Sequence, residues 1–158
     1  RYASAFPLWV RAFNRMRFRL GHWITRNTPD LARSNVAHHY DLSNDLYKLF
    51  LDEDMQYSCA YFASPEMSLE EAQAAKKAHI GRKLCIEPGM RVLDIGCGWG
   101  GFAEYAAKER GLKVTCLTIS KEQFNYAKER IENAGLADVV QFKLQDYRDE
   151  SGTYEGLA

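Results

Sequence analysis

The residues with the clearest chemical spacing are Asp94-Ile95-Gly96-Cys97-Gly98-Trp99-Gly100-Gly101. Glycines let a backbone turn sharply and approach a ligand that any Cβ would push away. A helix following such a loop adds unpaired N–H groups and the positive end of its dipole. Together these features suit the polar part of a nucleotide- or nucleoside-bearing ligand. Gly96, Gly98 and Gly101 also fit the G-x-G-x-x-G spacing of dinucleotide sites. Those sites want a carboxylate about 20 residues further on, at the end of the next strand, to hold a ribose. Here that stretch reads Leu117-Thr118-Ile119-Ser120 and carries no carboxylate. The dinucleotide reading fails on that point.

The Asp-x-Gly-x-Gly-x-Gly run instead resembles motif I of S-adenosylmethionine-dependent methyltransferases, with Asp94 as the acid at the strand tip. Thr118 and Gln123 flank the second strand-to-helix turn, at the carboxyl edge where open α/β sheets bind ligands. The same two residues equally suit ordinary helix capping. Asp146 and Tyr147 follow the third strand on that edge, where a carboxylate can accept from an adenine amine. A solvated turn is the alternative there.

The elements that must position these residues can be read from the pattern. Residues 3 to 25 place Phe6, Trp9, Val10, Phe13, Met16, Leu20, Trp23 and Ile24 at mostly three- and four-residue steps. This predicts a basic amphipathic helix, interrupted near Gly21 and ended before Asn27-Thr28-Pro29. A short helix is expected over 43 to 50. Ser68-Leu69-Glu70-Glu71 is a capping box that opens a helix running to about Leu84. Glu87-Pro88-Gly89 makes a turn, and the pattern changes. Strands are expected at 91 to 95, 113 to 118 and 139 to 144. A helix over 100 to 110, stopped by Gly111, separates the first two. Ser120-Lys121-Glu122-Gln123 reads as a second capping box, opening a helix with Phe124, Ala127, Ile131 and Ala134 on one face. Gly135 ends it.

Strand, helix, strand, helix, strand is half of a doubly wound, mostly parallel sheet, so the expected class is a Rossmann-like α/β fold. With a fourth strand beginning near Tyr154, the expectation is an incomplete catalytic domain lacking residues at both ends. Residues 1–37 read as a basic helical arm or interdomain linker. Residues 38–158 read as the N-terminal part of the methyltransferase domain.

Lys plus Arg equals Asp plus Glu, 21 each, which excludes a strong polyelectrolyte. The average hides a division: residues 1 to 37 carry +6, with seven arginines against Asp30 alone, and the remainder carries −6. A basic arm before a mildly acidic body points to packing on a partner or to a membrane surface, ahead of nucleic acid. No apolar run approaches the roughly 18 residues of a spanning helix. Cys59, Cys85, Cys97 and Cys116 form no CxxC pair, so reduced thiols in a cytoplasmic protein are expected. His38 beside His39 lacks further ligand spacing and is not read as a metal site.

Three groups of residues then carry a family resemblance. His39-Tyr40-Asp41-Leu42, Asn44 and Met55-Gln56-Tyr57-Ser58-Cys59-Ala60-Tyr61-Phe62 precede the glycine loop. Thr118-Ile119-Ser120, Glu122-Gln123 and Gln145-Asp146-Tyr147-Arg148-Asp149 follow it. From about residue 35 onward the chain resembles the cyclopropane fatty acid synthase family, which includes the mycolic acid cyclopropane synthases. The Tyr-Ser-Cys-Ala-Tyr segment is the specific part, because general methyltransferases lack it.

The resemblance implies methyl transfer from S-adenosylmethionine to the cis double bond of a phospholipid acyl chain. Attack by the alkene leaves a carbocation, and loss of a proton from the added methyl closes a cyclopropane ring. Such a site must be apolar, supply a base and exclude water. The family's base is a bound bicarbonate. Carried over, Tyr57, Ser58, Asp94, Gly96, Gly98, Thr118, Gln123, Asp146 and Tyr147 would bind the cofactor. Cys59 would border the bicarbonate, through its N–H as much as its thiol; from the residue alone it could equally be a small buried hydrophobe. The His39-Tyr40-Asp41 segment would fold over the pocket, while Trp99 and Phe102 would pack.

The other expected bicarbonate ligands, a Glu and a His among them, would lie beyond Ala158. Tyr154-Glu155-Gly156-Leu157-Ala158 stands where the family often has Phe-Asp-Arg-Ile-Val. The implied partners are an unsaturated phospholipid and the membrane surface, with no nucleic acid; a homo-oligomer is left open. The implied location is cytoplasmic, peripheral to the inner face of the membrane. The competing readings are a methyltransferase for a small molecule or another lipid, and a non-catalytic S-adenosylmethionine-binding subunit.

Overall fold

The computed structural model describes residues 7–24, 28 and 44–158. The chain divides into two compact units, Arg1–Ala32 and Arg33–Ala158. In the first, helix α1 spans Leu8–Ile24. It runs through Gly21 without the interruption expected there. A mid-helix glycine costs only about 1 kcal/mol relative to alanine, and the apolar spacing continues across it. Trp9, Phe13, Met16 and Phe18 are exposed. Among the described residues no helix is long and apolar enough to cross a membrane.

The second unit begins, among described residues, with the short helix α2 (Asn44–Lys48), followed by α3 (Leu69–Lys83). The α3 start is the reciprocal box expected: Glu71 N–H donates to Ser68 Oγ at 3.2 Å, and Ser68 N–H to Glu71 Oε2 at 2.8 Å. Then come β1 (Arg91–Ile95), α4 (Gly101–Arg110), β2 (Lys113–Thr118), α5 (Lys121–Asn133), β3 (Val140–Leu144), a 3-10 turn at Tyr147–Asp149, and β4 (Gly156–Leu157).

The four strands form one parallel sheet in the order β3-β2-β1-β4. The chain steps outward from β1 through β2 to β3, then returns to the far side of β1. This reversal creates a switch point between β1 and β4, and open α/β sheets bind ligands at the carboxyl end of such a point. Val92, Val114 and Val140 stand in register across three strands. Phe102, Ala103, Ala106 and Ala107 of α4 and Ile131 of α5 belong to the core cluster around them. The alanines let α4 lie close to the sheet. Ile131 is 2% exposed, so truncating it to Ala would cost about 2–5 kcal/mol. This packed sheet fixes the strand ends from which the functional loops leave.

Candidate functional site

The glycine loop leaves the carboxyl end of β1 beside the switch point. The N–H groups of Gly96 and Cys97 both donate to Leu117 O, at 2.9 and 3.1 Å, tying the loop to the end of β2. Gly96 and Gly98 have φ of +76° and +56°, and an added Cβ at either would meet nothing within 4 Å. The loop backbone therefore borders open space that a ligand can enter. Gly100 serves packing instead, since a Cβ there would press on Ala127 and Phe142. Gly101 is needed by the chain itself: a Cβ would overlap Gln56 Nε2 and stand 2.8 Å from the Asp54 carbonyl oxygen.

Asp94 lies just below this loop, 6% exposed, and its Oδ2 has no hydrogen-bond partner. Burial pushes its carboxyl up to about 7. An orphaned acceptor beneath an open glycine cradle fits a ligand that brings N–H donors, as S-adenosylmethionine would. Cys116, opposite Asp94 in the register, is fully buried. A hydrogen bond with Cys97 and burial together push its thiol well up, so it stays a protonated packing group.

Thr118 and Gln123 are buried and bonded to one another. Thr118 Oγ1 donates to Gln123 Oε1 at 3.2 Å and accepts from Ser120 N–H at 3.1 Å. Ser120 Oγ caps α5 by accepting from Gln123 N–H. The second capping box expected from the sequence is therefore half formed. Its Gln123 side chain turns to Thr118, because the buried hydroxyl needs an acceptor. Asp146 sits two residues past Leu144, the register partner of Thr118, and so on the same edge. It is 3% exposed, which excludes a solvated turn for it, while Tyr147 is exposed. Asp146 Oδ1 accepts from Arg148 N–H and Nε, and Oδ2 from Arg148 Nη2 at 2.6 Å.

Tyr57 lies beside the glycine loop, its ring 6.4 Å from that of Trp99. Tyr47 of α2 fills the space beneath, with ring centroids 4.8 Å from Trp99 and 5.4 Å from Tyr57. Trp99 Nε1 donates to Asn44 Oδ1 at 2.8 Å, pinning α2 to the loop. Trp99 and Phe102 are both buried packing residues. Ser58 and Cys59 are exposed, so Cys59 is not the small buried hydrophobe that its type alone allowed. All four cysteines are free. His38, His39, Tyr40 and Asp41 lie outside the described residues. Among the described residues no cluster of three His, Cys, Asp or Glu side chains suits a metal ion.

Sequence reasoning missed the residues that hold this segment in place. One face of α3 clamps it. Ala72 O accepts from Tyr61 N–H at 3.1 Å, and Gln73 Nε2 donates to Gln56 O and Ser58 O at 3.2 and 3.1 Å. Lys76 Nζ donates to Ser58 Oγ at 2.9 Å, and Lys77 pairs with Asp54. Arg130 of α5 closes the network, bonding Asp54 Oδ1 and Glu104 Oε2 at 2.5 Å each. Burial raises the Asp54 carboxyl, but Lys77 and Arg130 outweigh it and hold it below the usual range. Met55 adopts a left-handed φ of 57° within this anchored turn, a conformation costing on the order of 1 kcal/mol. Its side chain is buried with Tyr47 and Trp99, and Gln56 N–H donates to Asp52 Oδ1 at 2.7 Å. The spacing Ala72-Gln73 and Lys76-Lys77, one helical turn apart, was the available signal.

Comparison with known proteins fits this geometry. The family described as mycolic acid cyclopropane synthetase matches residues 27–157. The cyclopropane-fatty-acyl-phospholipid synthase of Escherichia coli is 51% identical over 119 residues, covering 75% of this chain and 30% of that protein. A probable fatty acid methyltransferase of Mycobacterium tuberculosis is 43% identical over 150 residues, 95% of this chain and 33% of that one. Among solved structures, mycolic acid cyclopropane synthase CmaA1 complexed with SAH and CTAB superposes with a TM-score of 0.74 at 38% identity. That match covers 77% of this chain and 43% of the other. The chain thus spans about a third of the length of the sequence relatives it matches. Its architecture is the Rossmann-like class I methyltransferase fold, in part. Matched through the Tyr57-Ser58-Cys59 segment, the glycine loop and the ends of all four strands, the chain belongs to the mycolic acid cyclopropane synthetase family.

Proposed function

We propose that this chain is part of an S-adenosylmethionine-dependent enzyme that converts the cis double bond of an unsaturated phospholipid acyl chain to a cyclopropane. In this reading residues 38–158 belong to the methyltransferase domain and 1–37 form its basic arm. The observation that carries it is the seating of the 54–59 segment on the glycine loop. Gly101 has no room for a Cβ because Gln56 and Asp54 occupy it, and Tyr57 packs edge-on to Trp99. The segment that separates this family from other methyltransferases is thereby brought to the cofactor loop.

S-adenosylmethionine supplies, when bound, an electrophilic methyl on a sulfonium. The chain's own residues bind and shield it. Gly96 and Gly98 leave room for backbone contact, and Asp94 offers a buried acceptor. Thr118, Gln123, Asp146 and Tyr147 line the carboxyl edge, and Tyr57 and Ser58 close over it from the other side. Tyr47, Phe50, Tyr57 and Trp99 form an aromatic wall that keeps water from a cationic acyl chain, as the chemistry requires. Bicarbonate is the base assigned here, beside the exposed Cys59.

The substrate is a membrane lipid, so the enzyme docks peripherally on the cytoplasmic face. The arginines and exposed aromatic residues of α1 favour that contact. The test is mass spectrometry of cis-unsaturated phospholipid vesicles incubated with the intact protein and S-adenosylmethionine, with and without bicarbonate. A gain of one CH₂ with loss of the olefin, dependent on bicarbonate, is expected. Unaltered lipid under these conditions contradicts the proposal.

A further inference from the structure

We infer that Lys76 is the cation of a carboxylate-type oxyanion site built with Ser58 and Cys59. The ligand is a small, singly charged, trigonal oxyanion: the methionine carboxylate of S-adenosylmethionine, or free bicarbonate. The inference rests on the functional reading above, which brings both to this chain.

Lys76 Nζ donates one hydrogen bond, to Ser58 Oγ at 2.9 Å, and keeps two donors unused. Ser58 Oγ receives that bond, so its own hydrogen is available to a further acceptor. Among the described residues the N–H groups of Ser58 and Cys59 make no hydrogen bond. The carbonyls of Gln56 and Ser58 are already taken by the buried Gln73 amide. The Ser58 hydroxyl and the N–H groups of Ser58 and Cys59 are therefore donors still open to an anion.

The surrounding charges leave the ammonium uncompensated. Asp52 is the carboxylate whose charge acts on it, but Asp52 is buried and accepts from Gln56 N–H, and no carboxylate lies within 4.0 Å of Lys76 Nζ among the described residues. The neighbouring Lys77 is committed to Asp54. Partial burial lowers the Lys76 pKa, and Asp52 and Cys59 only partly oppose this, with Lys77 adding to the lowering. An anion placed here would gain a charge-assisted bond and relieve that penalty.

The test uses the intact protein and three forms: wild type, Lys76→Met and Lys76→Arg. Calorimetry reads affinity for S-adenosylmethionine, for its decarboxylated analogue, and for bicarbonate; thermal melts report folding. One charge-assisted bond predicts a loss of about tenfold or more in Lys76→Met, largely restored in Lys76→Arg. Loss of the preference for S-adenosylmethionine over the decarboxylated analogue assigns the cofactor carboxylate. Loss of bicarbonate affinity alone assigns the free anion. A folded Lys76→Met that keeps both overturns the inference alone. A wild-type protein that binds neither overturns the functional reading, and the inference falls with it. If Lys76→Met does not fold, Lys76→Gln carries the same comparison.

Discussion

Asp94→Asn should remove a pH dependence that the wild-type fold carries. Burial raises the Asp94 carboxyl from an ordinary 3.8 to about 7. Between these values the folded chain keeps a proton that the unfolded chain releases. Unfolding free energy therefore falls as pH rises from about 4, and levels off above about 7. Three pH units at 1.36 kcal/mol each give a loss on the order of 4 kcal/mol, a large share of a domain's 5–15 kcal/mol. Asn has the same shape and no charge, so it lacks this slope. It leaves an unpaired amide instead, a constant offset of about 1–3 kcal/mol. The informative quantity is thus the difference between the two stability curves, not either intercept. Urea denaturation of both proteins without ligand, at steps from pH 4.5 to 8.5, should show the variant gaining on wild type by several kcal/mol up to neutrality. Parallel curves would mean that the folded chain does not hold the Asp94 proton. A bound ligand that donates to Asp94 favours its ionised form, so wild-type affinity for S-adenosylhomocysteine should rise with pH through about 7, and that rise should vanish in the variant.

Gly98→Val should abolish S-adenosylmethionine binding in calorimetry, because its side chain would fill the ligand's approach and a β-branched residue resists φ of +56°. Unchanged affinity in a folded variant would contradict the cradle. Arg130→Met should cost about 2 kcal/mol in denaturant unfolding, between surface and buried ion pairs, since its side chain is 18% exposed and it joins Asp54 to Glu104. Cys59→Ser should keep measurable turnover while a bulky replacement removes it, because in the proposed reaction the position shapes an anion site without bonding substrate. A thioether adduct trapped at Cys59 would overturn that. Changing Arg11, Arg15 and Arg19 together to Gln should weaken sedimentation with anionic vesicles, each charge contributing about 1 kcal/mol at low salt. Lower thermal stability with unchanged vesicle binding would assign α1 to packing.

Much of the fold was legible because its signals are local. The Ser68 box, the Gly111 and Gly135 stops and the apolar strand runs each fix an element from a handful of neighbouring residues, and β1, β2 and the ends of α4 and α5 follow from them. β3 begins one residue later than expected, at Val140. Gly21 misled because a glycine's helix cost is small beside a continuing apolar stripe. Gln123 misled because capping spacing says nothing about a buried hydroxyl competing for its amide. The candidate site divides the same way. Its glycine loop could be read from conformation alone, whereas Tyr57, Ser58 and Cys59 came from family resemblance. The residues that seat them were missed, since helical spacing puts Gln73 and Lys76 on one face without naming their partners: these two reach 15 to 18 positions away, Arg130 reaches Asp54 across 76, and Asn44 reaches Trp99 across 55. Periodicity reports which face of a helix is buried, not which distant loop its polar residues hold.

The proposed reaction is methyl transfer to an olefin followed by loss of one methyl proton. It is tested most directly with S-adenosylmethionine carrying a fully deuterated methyl group, the intact protein and vesicles of cis-monounsaturated phospholipid. This route gives a product that keeps two of the three deuterons in an added CD₂ and resists ozonolysis, as a cyclopropane does. A product carrying all three deuterons, or one still cleaved by ozone, would contradict it.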